Sequence, residues 1–334
     1  MTTFITGSSG FVGLALTEHL LACGEEVIGY DLSMPPDVAL RIFARLPGRF
    51  VIETGDVRDA KGLHQCMDRH RPDRLITLAA ITADVTRERL GPQAIFDVNV
   101  GGTLAAVAAA VDCGVERVLQ VSSGSVYGES GRYPEPLREA TTPLLPEGLY
   151  GMSKRAAEEA AQRLAALAGI SLVTGRLGTC FGPWEADTGV RDTLSAPFQV
   201  LSLARRGAAV IIPRAGKRDW LYVRDAASAI ATLLAQSRWR WPIYNIAAGF
   251  EWSIEQWCQR IAPRYPGFSW RLAAAGEMAN IDYFAHYDRA SMDVTRLIAD
   301  TGFVPRFGLV EAEKDFHAWI ARHGVDVFES GVWT

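Results

Sequence analysis

The stretch Thr3-Phe4-Ile5-Thr6-Gly7-Ser8-Ser9-Gly10-Phe11-Val12-Gly13 decides how the rest of the chain is read. A short β-rich run, Thr3 to Thr6, passes into a turn with glycines at Gly7, Gly10 and Gly13, and the turn opens a helix expected from Phe11 to Cys23. Glycines let a backbone approach a pyrophosphate closely, and the helix N-terminus behind them favours negative charge. The spacing is G-x-x-G-x-x-G, not G-x-G-x-x-G. Alone such a turn is weak evidence, because an ordinary tight turn has the same composition. Its context strengthens it, since a strand precedes it, a helix follows it and Asp31 ends the next β-rich run, Glu26 to Tyr30. An aspartate there can bind both ribose hydroxyls and repel the extra phosphate of NADP. Leu32, Ser33 and Met34 offer that phosphate no cation, so NAD is the expected cofactor. The plain alternative for Asp31 is a strand-end turn former.

Outward from this turn the first half alternates short β-rich and longer amphipathic runs. Arg49 to Glu53, Arg74 to Leu78, Arg117 to Ser122 and Ser171 to Arg176 read as strands. Pro36 to Leu46, Ala60 to His70, Pro92 to Cys113 and Tyr150 to Ala168 read as helices. A β-α-β rhythm means a parallel, doubly wound α/β sheet with helices on both faces, its ligand along the strands' carboxyl ends. Asp56 and Val57, after the third strand, are placed to meet the adenine. The small residues Leu78-Ala79-Ala80 end the fourth strand and permit close backbone approach. After about Gly178 the pattern loosens, with short strands (Ala209 to Ile212, Trp220 to Val223, Ile243 to Ile246) among helices such as Arg224 to Gln236 and Ser253 to Ile261. The expected division is a dinucleotide-binding domain over 1–178 and a smaller mixed α/β substrate lobe over 179–334, with the 224–236 helix able to pack back on the first domain.

Tyr150 and Lys154 carry the chemistry. On a helix, residues four apart lie on one face, a turn from each other. A tyrosine titrates near pH ~10, so acting as a base near neutrality costs roughly 4 kcal/mol unless the phenolate is stabilised. The lysine ammonium and an oxidised nicotinamide are two cations that could do so. Dinucleotide turn and dyad together point to proton abstraction from an alcohol.

Composition bounds the partners. The chain has 334 residues and a net charge of -4, which gives no general attraction to nucleic acid or anionic membrane. No apolar run is expected to reach the ~20 residues that span a bilayer, and the first strand begins almost at Met1, leaving no room for a secretory signal. Cys23, Cys66, Cys113, Cys180 and Cys258 are odd in number and lack paired metal-ligand spacing, and the six histidines form no HExxH cluster. Free thiols in a reducing cytoplasm and no metal are therefore expected.

The motifs Gly7-x-x-Gly10-x-x-Gly13, Asp31, Gly55-Asp56-Val57, Asn99-Val-Gly-Gly102-Thr103, Ser122-Ser123-Gly-Ser-Val126-Tyr127-Gly128, Tyr150-x-x-x-Lys154 and Arg218-Asp219-Trp220-x-Tyr222-Val223-x-Asp225 run in one order over essentially the whole chain. In that order the chain resembles an extended short-chain dehydrogenase/reductase of the NAD-dependent epimerase/dehydratase group, which includes the nucleotide-sugar 4-epimerases. The resemblance implies a Rossmann-type fold. It further implies that Tyr150 takes a proton from a substrate hydroxyl and that Lys154 assists it and binds the nicotinamide ribose. Ser123 would hydrogen-bond the reacting oxygen, and Asn99 would brace the active-site strand and helix beside the cofactor. Ser123 taken alone would read as a hydroxyl satisfying a strand-end backbone group.

Departures from the family pattern narrow the reaction. Nucleotide-sugar 4,6-dehydratases carry an Asp-Glu pair just after the catalytic hydroxyl, for acid and base work in eliminating water. Here the positions hold Gly124 and Ser125, so elimination by that route is not expected, and Ser125 is left as a substrate contact. Thr179 stands where nucleotide-sugar enzymes commonly have asparagine. Arg218 stands where the family binds a diphosphate, and its fork suits a sugar acid's carboxylate equally. Thr82, Asp84 and Arg87 follow the fourth strand, and Trp184, Arg191 and Asp192 lie on the loop into the second lobe. For the charged ones a solvated surface role competes with substrate contact. The reactions that remain are nucleotide-sugar epimerisation, dehydrogenation of a free sugar or sugar acid, and, without chemistry, NAD sensing. The alanine-rich helices 93–113 and 150–168 suggest a homodimer joined through them, although alanine is also simply the best helix former.

Overall fold

In the computed structural model, which describes residues 1–186, 194–283 and 285–323, the glycine turn sits at the centre of one parallel sheet. Thr2–Thr6 (β1) leads through the turn into Phe11–Ala22 (α1), and Glu26–Asp31 (β2) returns beside β1. Asp37–Phe43 (α2), Arg49–Thr54 (β3), Ala60–His70 (α3) and Arg74–Thr77 (β4) repeat the unit. Val85–Leu90 (α4), Pro92–Phe96 (α5) and Thr103–Asp112 (α6) precede Arg117–Ser123 (β5), and Leu149–Ala168 (α7) precedes Ser171–Leu177 (β6). Then come Thr179–Phe181 (β7), Ala196–Arg205 (α8), Val210–Ile212 (β8), Lys217–Arg218 (β9), Trp220–Tyr222 (β10) and Val223–Leu234 (α9). The chain continues through Ile243–Ile246 (β11), Trp252–Ser253 (β12), Ile254–Ile261 (α10), Trp270–Leu272 (β13), Thr295–Thr301 (α11) and Leu309–His323 (α12).

Seven strands form the main sheet in the order β11-β6-β5-β4-β1-β2-β3, every pair parallel. Strand order reverses between β1 and β4, which opens a crevice at their carboxyl ends. Helices cover both faces, so the inner strands are largely buried, while the edge strand β3 is half-buried. Phe4 packs on one face with Ile28, Leu75 and Val118, while its neighbour Ile5 joins Leu14, Leu16 and Leu119 on the other. Gly7, at φ 77°, shows why the turn needs glycine, since a Cβ there would lie 2.6 Å from the Ala79 nitrogen. At Gly13 a Cβ would sit 2.2 Å from the Gly7 oxygen.

The chain after residue 178 serves both layers. Its α9 packs on α1, and β11 extends the main sheet beside β6. Three two-stranded sheets (β10 with β7, β12 with β9, β13 with β8) build the remainder. Aromatic side chains form their core, with Phe181 meeting Tyr222, Trp252 and Trp257 edge-on at 5.2 to 5.7 Å.

Two expectations change. The helix read continuously over 92–113 is interrupted by a π-helical turn at Asp97–Gly102, where Asn99 turns its amide to neighbouring backbone. The same stretch, Pro92–Asp112, is long and apolar enough by length and composition to cross a membrane, contrary to the expectation that no run would be. Its alanines face α3 and α7 on one side, and Leu104, Ala105 and Ala108 are left exposed or half-exposed on the other.

Candidate active site

A cavity of about 750 Å³ runs from the glycine turn, along the carboxyl ends of β1, β4 and β5, to the small sheets. At one end Gly7, Gly10, Phe11, Val12 and Gly13 line it. No side chain caps α1, whose N-cap is Gly10, so the helix's N-terminal positive end is presented to the cavity. Asp31 is oriented by its own turn, its Oδ2 accepting the Ser9 N–H at 2.9 Å and its Oδ1 that of Ser33 at 3.3 Å. Burial raises the carboxyl's pKa while these N–H donors oppose the rise. Asp56, Val57, Leu78, Ala79 and Ala80 continue the wall. Asp56 is paired with Arg58, which holds its carboxyl below the usual range. Cradle, bare helix end and strand-end aspartate fit a dinucleotide with unphosphorylated ribose.

The middle of the cavity holds Ser123, Tyr150 and Lys154. Tyr150 opens the long α7, and Lys154 follows one turn later on the same face. Lys154 is buried, and its ammonium donates to the Val121 carbonyl of β5 at 2.6 Å. Burial pushes the lysine down to about 8, with the field of Glu158 opposing. The Ser123 hydroxyl accepts the Ser125 N–H at 3.1 Å and donates to the Ser125 hydroxyl at 3.1 Å. The strand-end role is thus real, and it coexists with a place on the cavity wall.

Asn99 does not line the cavity, although cofactor contact was expected; its neighbour Val98 does. The Asn99 amide is consumed elsewhere. Its Oδ1 accepts the Ile81 N–H at 2.8 Å, and its Nδ2 donates to the Ile81 carbonyl at 3.0 Å and to Ser153 Oγ at 2.9 Å. The residue therefore ties the segment after β4 to α7, fixing the helix that bears Tyr150 and Lys154.

At the far end Thr82, Ser125, Thr179 and Arg218 line the cavity, joined by Arg289, Met292 and Tyr283. Arg218 is buried and its guanidinium stacks over Trp220 at 5.3 Å, with no side-chain hydrogen bond or ion pair among the described residues. Burial, with the charges of Arg289 and Arg214, pushes it down to about 10. Arg289 donates to the Gly124 carbonyl at 2.7 Å, but its buried Nε has no hydrogen-bond partner among the described residues. Burial lowers this arginine too. Two desolvated cations with no carboxylate partner among the described residues make a place for an anion. Asp219 anchors the wall, its carboxylate accepting N–H groups of Ala248, Gly249 and Met292 at 2.9, 3.1 and 3.2 Å. Burial pushes Asp219 up to about 6.

Some sequence candidates lie apart from the cavity. Asp84 caps α4 by accepting the Arg87 N–H at 2.8 Å, and neither residue lines the cavity. Trp184 does line it, yet is buried between Phe43 and Trp319 and donates to Glu18 at 2.7 Å. Arg191 and Asp192 fall outside the described residues. Among the described residues, Glu53, Cys66 and His70 bring possible metal donors within 4.8 Å of one another, but Glu53 is already paired with Arg69 at 2.9 Å and His70 at 2.6 Å. Sequence reasoning missed Arg289, Met292 and Tyr283, whose segment has neither periodicity nor a glycine turn. The one available signal was charge among aromatics in Tyr287-Asp288-Arg289.

The profile of the NAD dependent epimerase/dehydratase family matches residues 3–247. The chain is 27% identical over 326 residues to a dTDP-glucose 4,6-dehydratase of Xanthomonas campestris pv. campestris, with 92% of this chain and 89% of the relative covered. It is 26% identical over 359 residues to a dTDP-L-rhamnose 4-epimerase of Burkholderia thailandensis, covering 95% and 94%. Among solved structures, MoeE5 in complex with UDP-glucuronic acid and NAD superposes with a TM-score of 0.76 at 26% identity, covering 96% of this chain and 99% of that one. With a matched profile over most of its length, this chain belongs to the NAD dependent epimerase/dehydratase family.

Proposed function

We propose that this protein is an NAD-dependent enzyme that oxidises a sugar carbinol and returns the hydride to the opposite face, as a nucleotide-sugar epimerase of the 4-epimerase type. The observation that carries this reading is the convergence, in one cavity, of Ser123, Tyr150 and Lys154 with the buried Arg218 and the half-buried Arg289, neither of which has a carboxylate partner among the described residues. Bound NAD supplies the hydride acceptor. Tyr150 as phenolate takes the hydroxyl proton, Lys154 stabilises that phenolate, and Ser123 orients the reacting oxygen. Arg218 and Arg289 hold the substrate's anionic end. MoeE5, crystallised with UDP-glucuronic acid and NAD, supports a nucleotide sugar as that anion.

Relatives of both dehydratase and epimerase kind are about equally similar, so identity does not separate the reactions. Side chains favour epimerisation. Gly124 and Ser125 stand where dehydratases carry their acid and base, and neither titrates usefully. A Cβ on Gly124 would meet the Met292 sulfur at 2.9 Å, so that space is filled by an apolar thioether. Thr179, in place of an asparagine, supports a second reading: dehydrogenation of a free sugar or sugar acid, its carboxylate on Arg218. We further propose a homodimer through helices 93–113 and 150–168, because Leu104, Ala105, Ala108, Met152, Ala156 and Ala160 are left exposed or half-exposed on α6 and α7.

The test is incubation with stoichiometric and then excess NAD against nucleotide sugars, free sugars and sugar acids. Product without net NADH is the expected outcome, whereas NADH accumulating with turnover selects the dehydrogenase. Tyr150→Phe should lose turnover by 10²-fold or more, on the order of general-base effects, while keeping its NAD affinity. Full activity in that variant would remove the assigned base.

A further inference from the structure

Behind the dyad lies a buried ion pair that the mechanism so far leaves unused. Glu158 follows Lys154 by four residues on α7 and is buried. Its carboxylate is held by Arg176 of β6, whose Nη2 donates at 2.8 Å and Nε at 3.1 Å. Arg176 is equally buried; its Nη1 donates to the Tyr127 hydroxyl at 3.1 Å, and the Tyr127 hydroxyl donates to Asn245 Oδ1 at 2.8 Å. Taking such a pair out of water is costly, and well-packed apolar residues often replace one without loss. Its presence therefore calls for a reason other than stability.

We propose that Glu158 is a positioning residue that keeps Lys154 charged, and that Arg176 keeps Glu158 from capturing the ammonium. The proposal rests on the reading of Tyr150 and Lys154 as the reacting dyad. Glu158 is the one charged group whose field on Lys154 is appreciable among the described residues. Other elements bring α7 the Val121 carbonyl of β5, which meets the lysine itself, Asn99 of the π-helical turn, which meets Ser153, the Ser125 carbonyl beside Gly151, and two charged groups, Arg176 of β6 on Glu158 and Glu88 of α4 on the Leu149 N–H. Tyr150 shares the lysine's own helix face. A lone anion one turn away would form a direct bond with the ammonium and turn it from Tyr150. Clamped by the guanidinium, Glu158 acts on Lys154 through space and leaves the ammonium's donors on Val121 and the cavity.

The two substitutions move Lys154 in opposite directions, which a merely structural role would not do. Glu158→Gln removes the anion and should lower the lysine's titration midpoint by about one unit. Arg176→Gln removes a cation and frees the carboxylate, and should raise it. The chain has four lysines, Lys61, Lys154, Lys217 and Lys314, so NMR titration of ε-13C-lysine in the NAD-loaded protein can follow Lys154 directly. Steady-state pH profiles should follow, the alkaline limb falling about tenfold in rate per unit for Glu158→Gln and moving up for Arg176→Gln. Glu158→Asp, which keeps the charge, should restore most of the limb. If a single variant does not fold, Glu158→Gln/Arg176→Gln, two amides in the same space, should still lower the midpoint. An unmoved midpoint, or shifts of the same sign in both single variants, overturns the proposal. Failure of the dyad itself would show differently, as turnover retained by Tyr150→Phe.

Discussion

Lys154 shows what the proposed chemistry costs in stability. Its folded value near 8 lies below the ~10.4 of an unfolded lysine, because burial disfavours the ammonium. For a depressed lysine the stability present above the unfolded value is lost as pH falls through the folded one, so at neutral pH the full cost is in place. Lys154→Met should therefore stabilise the protein at pH 7, by up to about 3 kcal/mol and a few degrees in Tm, while turnover is lost. The difference from the parent should shrink as the melts are repeated towards pH 10. A lower Tm at pH 7 would mean that the bond to the Val121 carbonyl outweighs desolvation.

Among elements, the π-helical turn at Asp97–Gly102 is decisive, because it presents Asn99 to both the end of β4 and α7. Asn99→Leu keeps the volume and removes three hydrogen bonds at a buried place, stranding the Ile81 N–H and carbonyl. Each stranded group costs about 1–3 kcal/mol, so a loss near 3 kcal/mol in denaturant unfolding is expected. Faster amide exchange at Ile81 and a fall in kcat larger than the fall in NAD affinity should accompany it. Unchanged stability would show that the turn is held by packing alone. The helical periodicity of 92–113 gave no sign of this interruption, since a single extra residue per turn leaves the apolar pattern nearly intact.

At the scale of the molecule, the unaccounted feature is the apolar outer face of α6 and α7. Small side chains there allow two helix pairs to approach closely, and a large charged side chain would prevent it. Ala108→Arg, at an exposed position on α6, should turn the proposed dimer into monomers in light scattering, with secondary structure preserved. A monomeric parent protein would remove the dimer and leave the exposed alanines as simple helix formers. The crevice, by contrast, lies within one chain, between the main sheet and the small sheets that follow it.

What the sequence by itself determined is local. The β-α-β order, the glycine turn, Asp31 and the Tyr150–Lys154 face follow from periodicity and from spacings of a few residues, which backbone geometry converts directly into position. The tertiary structure alone decided the rest. It brought Arg289 to Arg218, set Met292 against Gly124, spent the Asn99 amide on Ile81 and Ser153, and clamped Glu158 with Arg176. Each is a contact between different elements, Glu158 of α7 with Arg176 of β6 or Asn99 of the π-helical turn with the segment after β4, and no spacing within one element fixes it. Burial and pairing, which set the charge of every group in the cavity, exist only once those segments have packed together.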